Sequence, residues 1–176
     1  MLGTAALLAK DGTERTLVAL RCAEDRTKEM TMTSSSESGH PHILVGVDGS
    51  ASSIAALNWA AHQAELTGAR LDTVTAWQWP SKYQWMRTPA DYDPAGDTQK
   101  RVDAIVDEVR SAHPSVPIQS TVIEGQPARV LVKESQGAEL LVVGCRGHGE
   151  FPGMLLGSVS LHCVTSAHCA VVVLRS

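Results

Sequence analysis

From residue 42 onward, short apolar runs alternate with stripes of helical period. His42-Ile43-Leu44-Val45-Gly46-Val47 is rich in branched side chains and short enough for a buried strand. It stops at Asp48-Gly49-Ser50, which supplies turn chemistry and an N-cap hydroxyl. Ile54, Ala55, Leu57, Ala61, Ala64 and Leu66 then recur as a helical stripe that Thr67-Gly68 ends. Leu71 to Ala76 reads as a second strand, and residues 77–97, with Pro80, Pro89 and Pro94, as a long loop. Val102, Ile105, Val106 and Val109 mark a second helix ended by His113-Pro114. Ile118 to Ile123 alternates as a third strand, and Pro127 opens a third helix that runs to Gln136-Gly137. Leu140 to Val143 is a fourth strand, Ser158 to Ser166 a fourth helix and Ala170 to Leu174 a fifth strand.

Strands that alternate with helices imply parallel pairing with right-handed crossovers. The expected fold is a three-layer, doubly wound α/β domain around a five-stranded parallel sheet. In such sheets ligands sit outside the carboxyl ends of the strands, where the winding reverses. The first strand ends at Asp48 and the fourth at Gly144, so as neighbours they face one crevice.

Residues 1–40 have no comparable pattern and are expected to form a flexible N-terminal extension ahead of a domain spanning 41–176. Met1 to Ala9 is apolar, but it lacks the basic start and the length of a secretory signal. A short extra strand over Thr16 to Leu20 is one expectation here. Thr31 to Gly39 is nearly all Ser, Thr, Glu and Gly, which reads as a tether, and Met30 and Met32 stand at its edge as alternative translation starts.

Composition narrows the function class. A chain of 176 residues is long enough for one stable core, and a hydrophobic fraction of 43% is ordinary for a globular protein. The net charge of −4 and the lack of a basic stripe argue against duplex nucleic acid. The apolar runs are far too short to cross a bilayer. A cytoplasmic location without nucleic-acid or membrane partners is therefore expected. Four cysteines without CxxC spacing point to reduced thiols rather than a disulfide framework. His162-Cys163 and His168-Cys169 carry zinc-compatible atoms but lack finger spacing, so they read as buried small residues beside surface histidines.

The chemistry concentrates after the fourth strand. Val143-Gly144-Cys145-Arg146-Gly147-His148-Gly149 continues through Gly153 to Gly157-Ser158-Val159-Ser160. Glycines let backbone amides approach a ligand closely. Gly157-Ser158 opens a helix whose free amides and dipole favour an anion, and the Ser158 and Ser160 hydroxyls can add donors. A mobile glycine loop before an ordinary capped helix is the plain alternative.

Gly144-x-x-Gly147, nine residues, then Gly157-Ser158 is similar to the universal stress protein nucleotide motif G-x2-G-x9-G-[ST]. Ile43 to Ser50 resembles that family's first strand and turn, Val74-Thr75-Ala76-Trp77 its second strand, and Val171 to Leu174 its closing strand. The likeness covers residues 42–175. It implies a Rossmann-like sheet of order 3-2-1-4-5, akin to the adenine nucleotide α-hydrolase superfamily, and ATP as ligand, with or without Mg2+. It also implies roles. Asp48 would contact adenosine, with Gly46 and Val47 walling the site, and Ala76 would meet the adenine edge. Gly144 and Gly147, beside Val143, would border ribose and phosphates, and Gly157, Ser158, Val159 and Ser160 would bind the phosphates. Ala170 replaces a frequent proline and Cys145 a frequent serine, which bears on edge geometry only.

Arg146 and His148 lie in the loop as candidates to approach phosphate oxygens, and His148 reads first as a solvated loop histidine. There is no GxxxxGK[ST], HExxH or GxSxG segment. A few charge-assisted hydrogen bonds of about 1.5–3 kcal/mol each, with adenine burial, suffice for a micromolar complex. Fast phosphoryl transfer needs a positioned metal, a cation and a water-orienting group, and that set is not evident. Slow or negligible hydrolysis is expected. Trp77, Trp79, Tyr83 and Trp85 are candidates for a stacking lid over the adenine, with packing of the loop onto the sheet as the plainer reading of each. The expected role is a nucleotide-responsive homodimer, paired through Ala170 to Leu174, that regulates a stress response or dormancy. A slow ATPase, a cyclic AMP binder and a nucleotide-free interaction module are the competing readings.

Overall fold

The computed structural model describes residues 5–10, 16–21, 41–79, 93–147 and 156–175. The strands are β1 (Ala5–Lys10), β2 (Thr16–Arg21), β3 (His42–Gly46), β4 (Arg70–Trp77), β5 (Ile118–Glu124), β6 (Leu140–Gly144) and β7 (Ala170–Leu174). The helices are α1 (Ala51–Thr67), α2 (Pro94–Ala112), α3 (Pro127–Glu134) and α4 (Ser158–Ser166). The sheet runs β1-β2-β7-β6-β3-β4-β5. Counted from β3, its five parallel strands follow the order 3-2-1-4-5, as expected.

Strand alternation sorts the core into two layers. Ile43, Val45, Leu71, Val142 and Val172 face α1 and α2. Leu44, Val74, Leu141, Val143, Val171 and Val173 face α3 and α4. Successive residues of β3, β6 and β7 therefore bury on opposite sides, which explains why these strands read as continuous apolar runs. Val45, Leu57, Leu71 and Leu141 are fully buried, each such side chain contributing about 1.5–3 kcal/mol.

The helix ends follow local chemistry. Ser50 accepts from the Ser53 amide at 3.3 Å as the N-cap of α1, and Gly68 closes that helix at φ 69°, a conformation that favours glycine. The buried face of α1 is Ala56, Leu57, Ala60, Ala61 and Ala64, so small side chains bring the helix close to the sheet. Leu66, expected in the stripe, is instead exposed. Pro94, expected in the loop, begins α2 and is capped by Asp93, whose Oδ1 accepts from the Gly96 amide at 3.0 Å. Proline suits that position because its missing N–H has no helical partner to lose.

The largest departure lies at the amino end. The expected strand at Thr16 to Leu20 is present as β2, but it lies antiparallel on β7, and β1 adds a further antiparallel strand. Residues 5–10 and 16–21 thus extend the sheet, which corrects the expectation of a loose tail there. The tether and the two alternative starts lie outside the described residues.

Cys145, Cys163 and Cys169 are buried free thiols, whereas His162 and His168 are exposed. Among the described residues no three His, Cys, Asp or Glu side chains come together as a metal site. Burial pushes the Cys163 and Cys169 thiols up to about 11. The thiolate is the reactive form and is scarcely populated until pH approaches that value. At pH 8 both cysteines are expected to resist alkylation in the native chain and to react promptly in denaturant. Mass mapping of labelled peptides checks this, and rapid native labelling of Cys163 contradicts it.

Candidate functional site

β3 and β6 lie side by side and parallel, with Val45 opposite Val142, so their carboxyl ends open into one crevice. This is the point where the winding reverses, with β4 to one side of the pair and β7 to the other. Backbone bonds fix the rim. The Val47 amide donates to the Val74 carbonyl at 3.0 Å, and the buried Thr75 hydroxyl donates to the Val47 carbonyl at 2.7 Å. On the other side the Cys145 amide donates to the Leu174 carbonyl at 2.6 Å, and the Gly157 amide to the Cys145 carbonyl at 2.7 Å.

The first turn of α1 is tied to the loop after β6. The buried Ser52 hydroxyl donates to the Arg146 carbonyl, and Ser50 approaches the same oxygen at 3.5 Å. Asp48 is exposed on the rim. Its Oδ1 accepts from the Ser50 amide at 2.9 Å, and its own amide donates to Ser53 Oγ at 3.3 Å. These bonds aim the carboxylate across the crevice at Gly147, where a Cβ would collide with Asp48 Oδ2. A side chain at 147 would therefore make the exposed Asp48 carboxylate swing aside, which a flexible side-chain tip can do. Gly144 meets a harder constraint against α1, since a Cβ there would fall 2.7 Å from the Ser52 carbonyl carbon, a backbone atom.

α4 starts beside this rim with Gly157 as its N-cap, at φ −71° and ψ 164°, without a capping side chain. Its first backbone bond within the helix is from Leu161 to the Gly157 carbonyl at 2.9 Å. The amides of Ser158, Val159 and Ser160 thus have no acceptor in a preceding turn, and they carry the positive end of the helix dipole. The Ser160 hydroxyl is buried and turned inward, 3.0 Å from both the Cys145 and Gly157 carbonyls. That corrects the expectation that it adds a donor to a ligand; the exposed Ser158 hydroxyl stays available.

A cavity of about 650 Å3 fills the crevice. Gly46, Val47, Asp48, Ala76, Val143, Gly144, Arg146, Gly147, Gly157, Ser158, Val159 and Ser160 all line it. Ser53, Val74, Pro127, Leu131, Leu156 and Leu161 line it too and were not foreseen. Pro127 and Leu131 sit one helical turn apart on α3, so their i, i+4 spacing was the available signal. The wall is mainly aliphatic, and Arg146 is the only cationic side chain among the described residues that line it. Trp77 and Trp79 meet edge to face, centroids 5.6 Å apart, and neither lines the cavity. Tyr83, Trp85 and His148 lie outside the described residues. The volume suits a nucleotide-sized ligand, and the polar groups are few and convergent, as small-molecule sites require.

Comparison with known proteins agrees with this geometry. The pattern of the universal stress protein family matches residues 39–175. A universal stress protein of Mycobacterium tuberculosis is 36% identical over 143 residues, covering 77% of this chain and 46% of the relative. One from Mycobacterium bovis is 35% identical over 139 residues, with the same coverage. The chain thus spans about half the length of these relatives. Among solved structures, a universal stress protein in complex with cAMP superposes with a TM-score of 0.57 at 26% identity, covering 78% of this chain and 98% of its own. The universal stress protein of Archaeoglobus fulgidus in complex with dAMP superposes at 0.59 and 19% identity, covering 77% of this chain and 98% of its own, which bears on the fold. With the motif, the sheet order and the matched span in agreement, this chain belongs to the universal stress protein family.

Proposed function

We propose that the cavity binds an adenine nucleotide, ATP foremost, with or without Mg2+, and that occupancy regulates the chain's association with partners in a stress response or dormancy. The observation that carries this reading is the uncapped amino end of α4, Ser158 to Ser160, opening into an aliphatic cavity of nucleotide size. Anions are favoured at such an end, while Val74, Ala76 and Leu131 offer the apolar surface an adenine needs. Arg146 can add a cation to the phosphates, and Asp48 can accept from a ribose hydroxyl. Hydrolysis is expected to be slow or nil, because this single cation and carboxylate fall short of the set that fast phosphoryl transfer uses. Two copies can pair along β7 only when β2 gives up that edge. Cyclic AMP is the second reading, favoured by the complex of the 26% identical neighbour.

Isothermal calorimetry with ATP, ATP plus Mg2+ and cyclic AMP tests the proposal and ranks the ligands. Micromolar binding of at least one is expected. Asp48→Asn keeps an acceptor for the Ser50 amide but removes the charge, and is expected to weaken binding about tenfold, the equivalent of roughly 1.4 kcal/mol. Absence of heat with every adenine nucleotide overturns the proposal.

A further inference from the structure

We infer, on the adenine-nucleotide reading of the same site, that the cavity takes nucleotides whose phosphate carries an acyl chain. An acyl adenylate is the simplest of these, and Leu161 is the residue that covers the chain.

Two groups of apolar side chains line the cavity, and an adenine accounts for only one. Val74, Ala76 and Leu131, from β4 and α3, form the first. Leu156, Val159 and Leu161 form the second, and they flank the amino end of α4, where the phosphates are held. Aliphatic groups give a phosphate nothing, because its oxygens call for hydrogen-bond donors. Leu156 and Val159 have another role, since both pack on the core layer beneath α3 and α4. Leu161 has no such role. It lies outside both core layers and is 50% exposed, yet it lines the cavity.

The helix sets where this leucine stands. Its amide donates to the Gly157 carbonyl at 2.9 Å, so Leu161 sits one turn along from the cap and directly past the free amides. A single exposed leucine is ordinary in itself, and Leu66 on α1 is another that lines no cavity. A leucine on the wall of a ligand cavity differs, because a bound apolar group would remove it from water. An acyl chain joined to a phosphate at Ser158 to Ser160 starts beside it.

Charge points the same way. Among the described residues that line the cavity, Arg146 is the one cation and Asp48 the one anion, so the formal charges cancel. A phosphate that carries an acyl group keeps a single negative charge. One guanidinium and one helix end can match that charge without a second cation.

Calorimetry on the full chain tests this, with AMP and with acylsulfamoyl adenosines bearing acetyl, hexanoyl or decanoyl groups. The sulfamoyl link resists hydrolysis and retains one negative charge. Each methylene covered by an apolar wall gains roughly fourfold in affinity. Affinity is therefore expected to rise at least about thirtyfold from acetyl to decanoyl. Leu161→Ser, at an exposed position, is expected to cut that ratio to about threefold or less, read within the variant itself. A flat series in the parent overturns the inference, as does an undiminished ratio in the variant. Decanoate alone binding as tightly as the decanoyl nucleoside overturns it too. Should the variant fail to fold, the parent's series decides alone. Heat with AMP or ATP beside a flat series removes the acyl chain only, whereas silence with every adenine nucleotide removes the reading of the site as well.

Discussion

Gly157→Val is expected to leave the fold intact and to weaken adenine-nucleotide binding at least about a hundredfold. The protein itself has room for the added Cβ. A Cβ at 157 would meet nothing closer than the Cys145 carbonyl at 3.4 Å, Arg146 Cα at 3.5 Å and Ser160 Oγ at 3.7 Å, which are ordinary contacts. The backbone at φ −71° suits any residue, so there is no strain to relieve. Loss of a tolerated glycine cap costs about 1 kcal/mol of stability at most. The ligand fares differently, because the valine methyl groups would stand in front of the Ser158 to Ser160 amides. Losing two charge-assisted hydrogen bonds, at about 1.5 kcal/mol each, corresponds to roughly a hundredfold in affinity. Circular dichroism and thermal melting check the fold, and calorimetry the affinity. Gly157→Ala should fall in between. Heats equal to the parent's would remove the phosphates from this helix end.

That contrast shows what the sequence could and could not convey. The glycine spacing and the strand ends were local signals, and they led to residues that share one cavity. Val74, Leu131 and Leu161 escaped because an aliphatic wall and a core face have the same periodicity in sequence. Only the sheet's winding decides that Val74 lies at an open end. The orientation of the Ser160 hydroxyl is hidden for a related reason. Its place in the motif suggests a donor, but burial in the first turn of α4 turns the hydroxyl onto two carbonyls of its own chain. The amino-terminal hairpin was the least legible feature. Its strands are short, and what orders them is a partner edge that the chain supplies about 150 residues later.

Gly144→Ala should behave in the opposite way to the change at 157, destabilising the whole domain by about 3 kcal/mol. Gly144 ends β6 directly beneath the first turn of α1. A Cβ there would lie 2.5 Å from Ser52 Oγ, 2.7 Å from the Ser52 carbonyl carbon and 2.9 Å from Ser52 Cβ. A side-chain tip can rotate away, but the carbonyl carbon moves only if the helix moves. α1 packs on β3, β4, β6 and β7 through its alanine face, so displacing it loosens the layer that holds Leu57 and Val142. Overpacking of this kind costs about 1–3 kcal/mol. The Ser52–Arg146 hydrogen bond that ties the two rims would also be lost, a further 1 kcal/mol or so. Urea unfolding of the variant is therefore expected to show a lower midpoint at an unchanged slope. Nucleotide binding should fall as well, as a consequence of the displaced rim. A second substitution separates the two obstacles. Ser52→Gly deletes the hydroxyl and Cβ but leaves the carbonyl carbon in place, so the double variant should recover only a minor part of the loss. Full recovery would mean that the side chain, rather than the closeness of two backbones, is what requires glycine at 144.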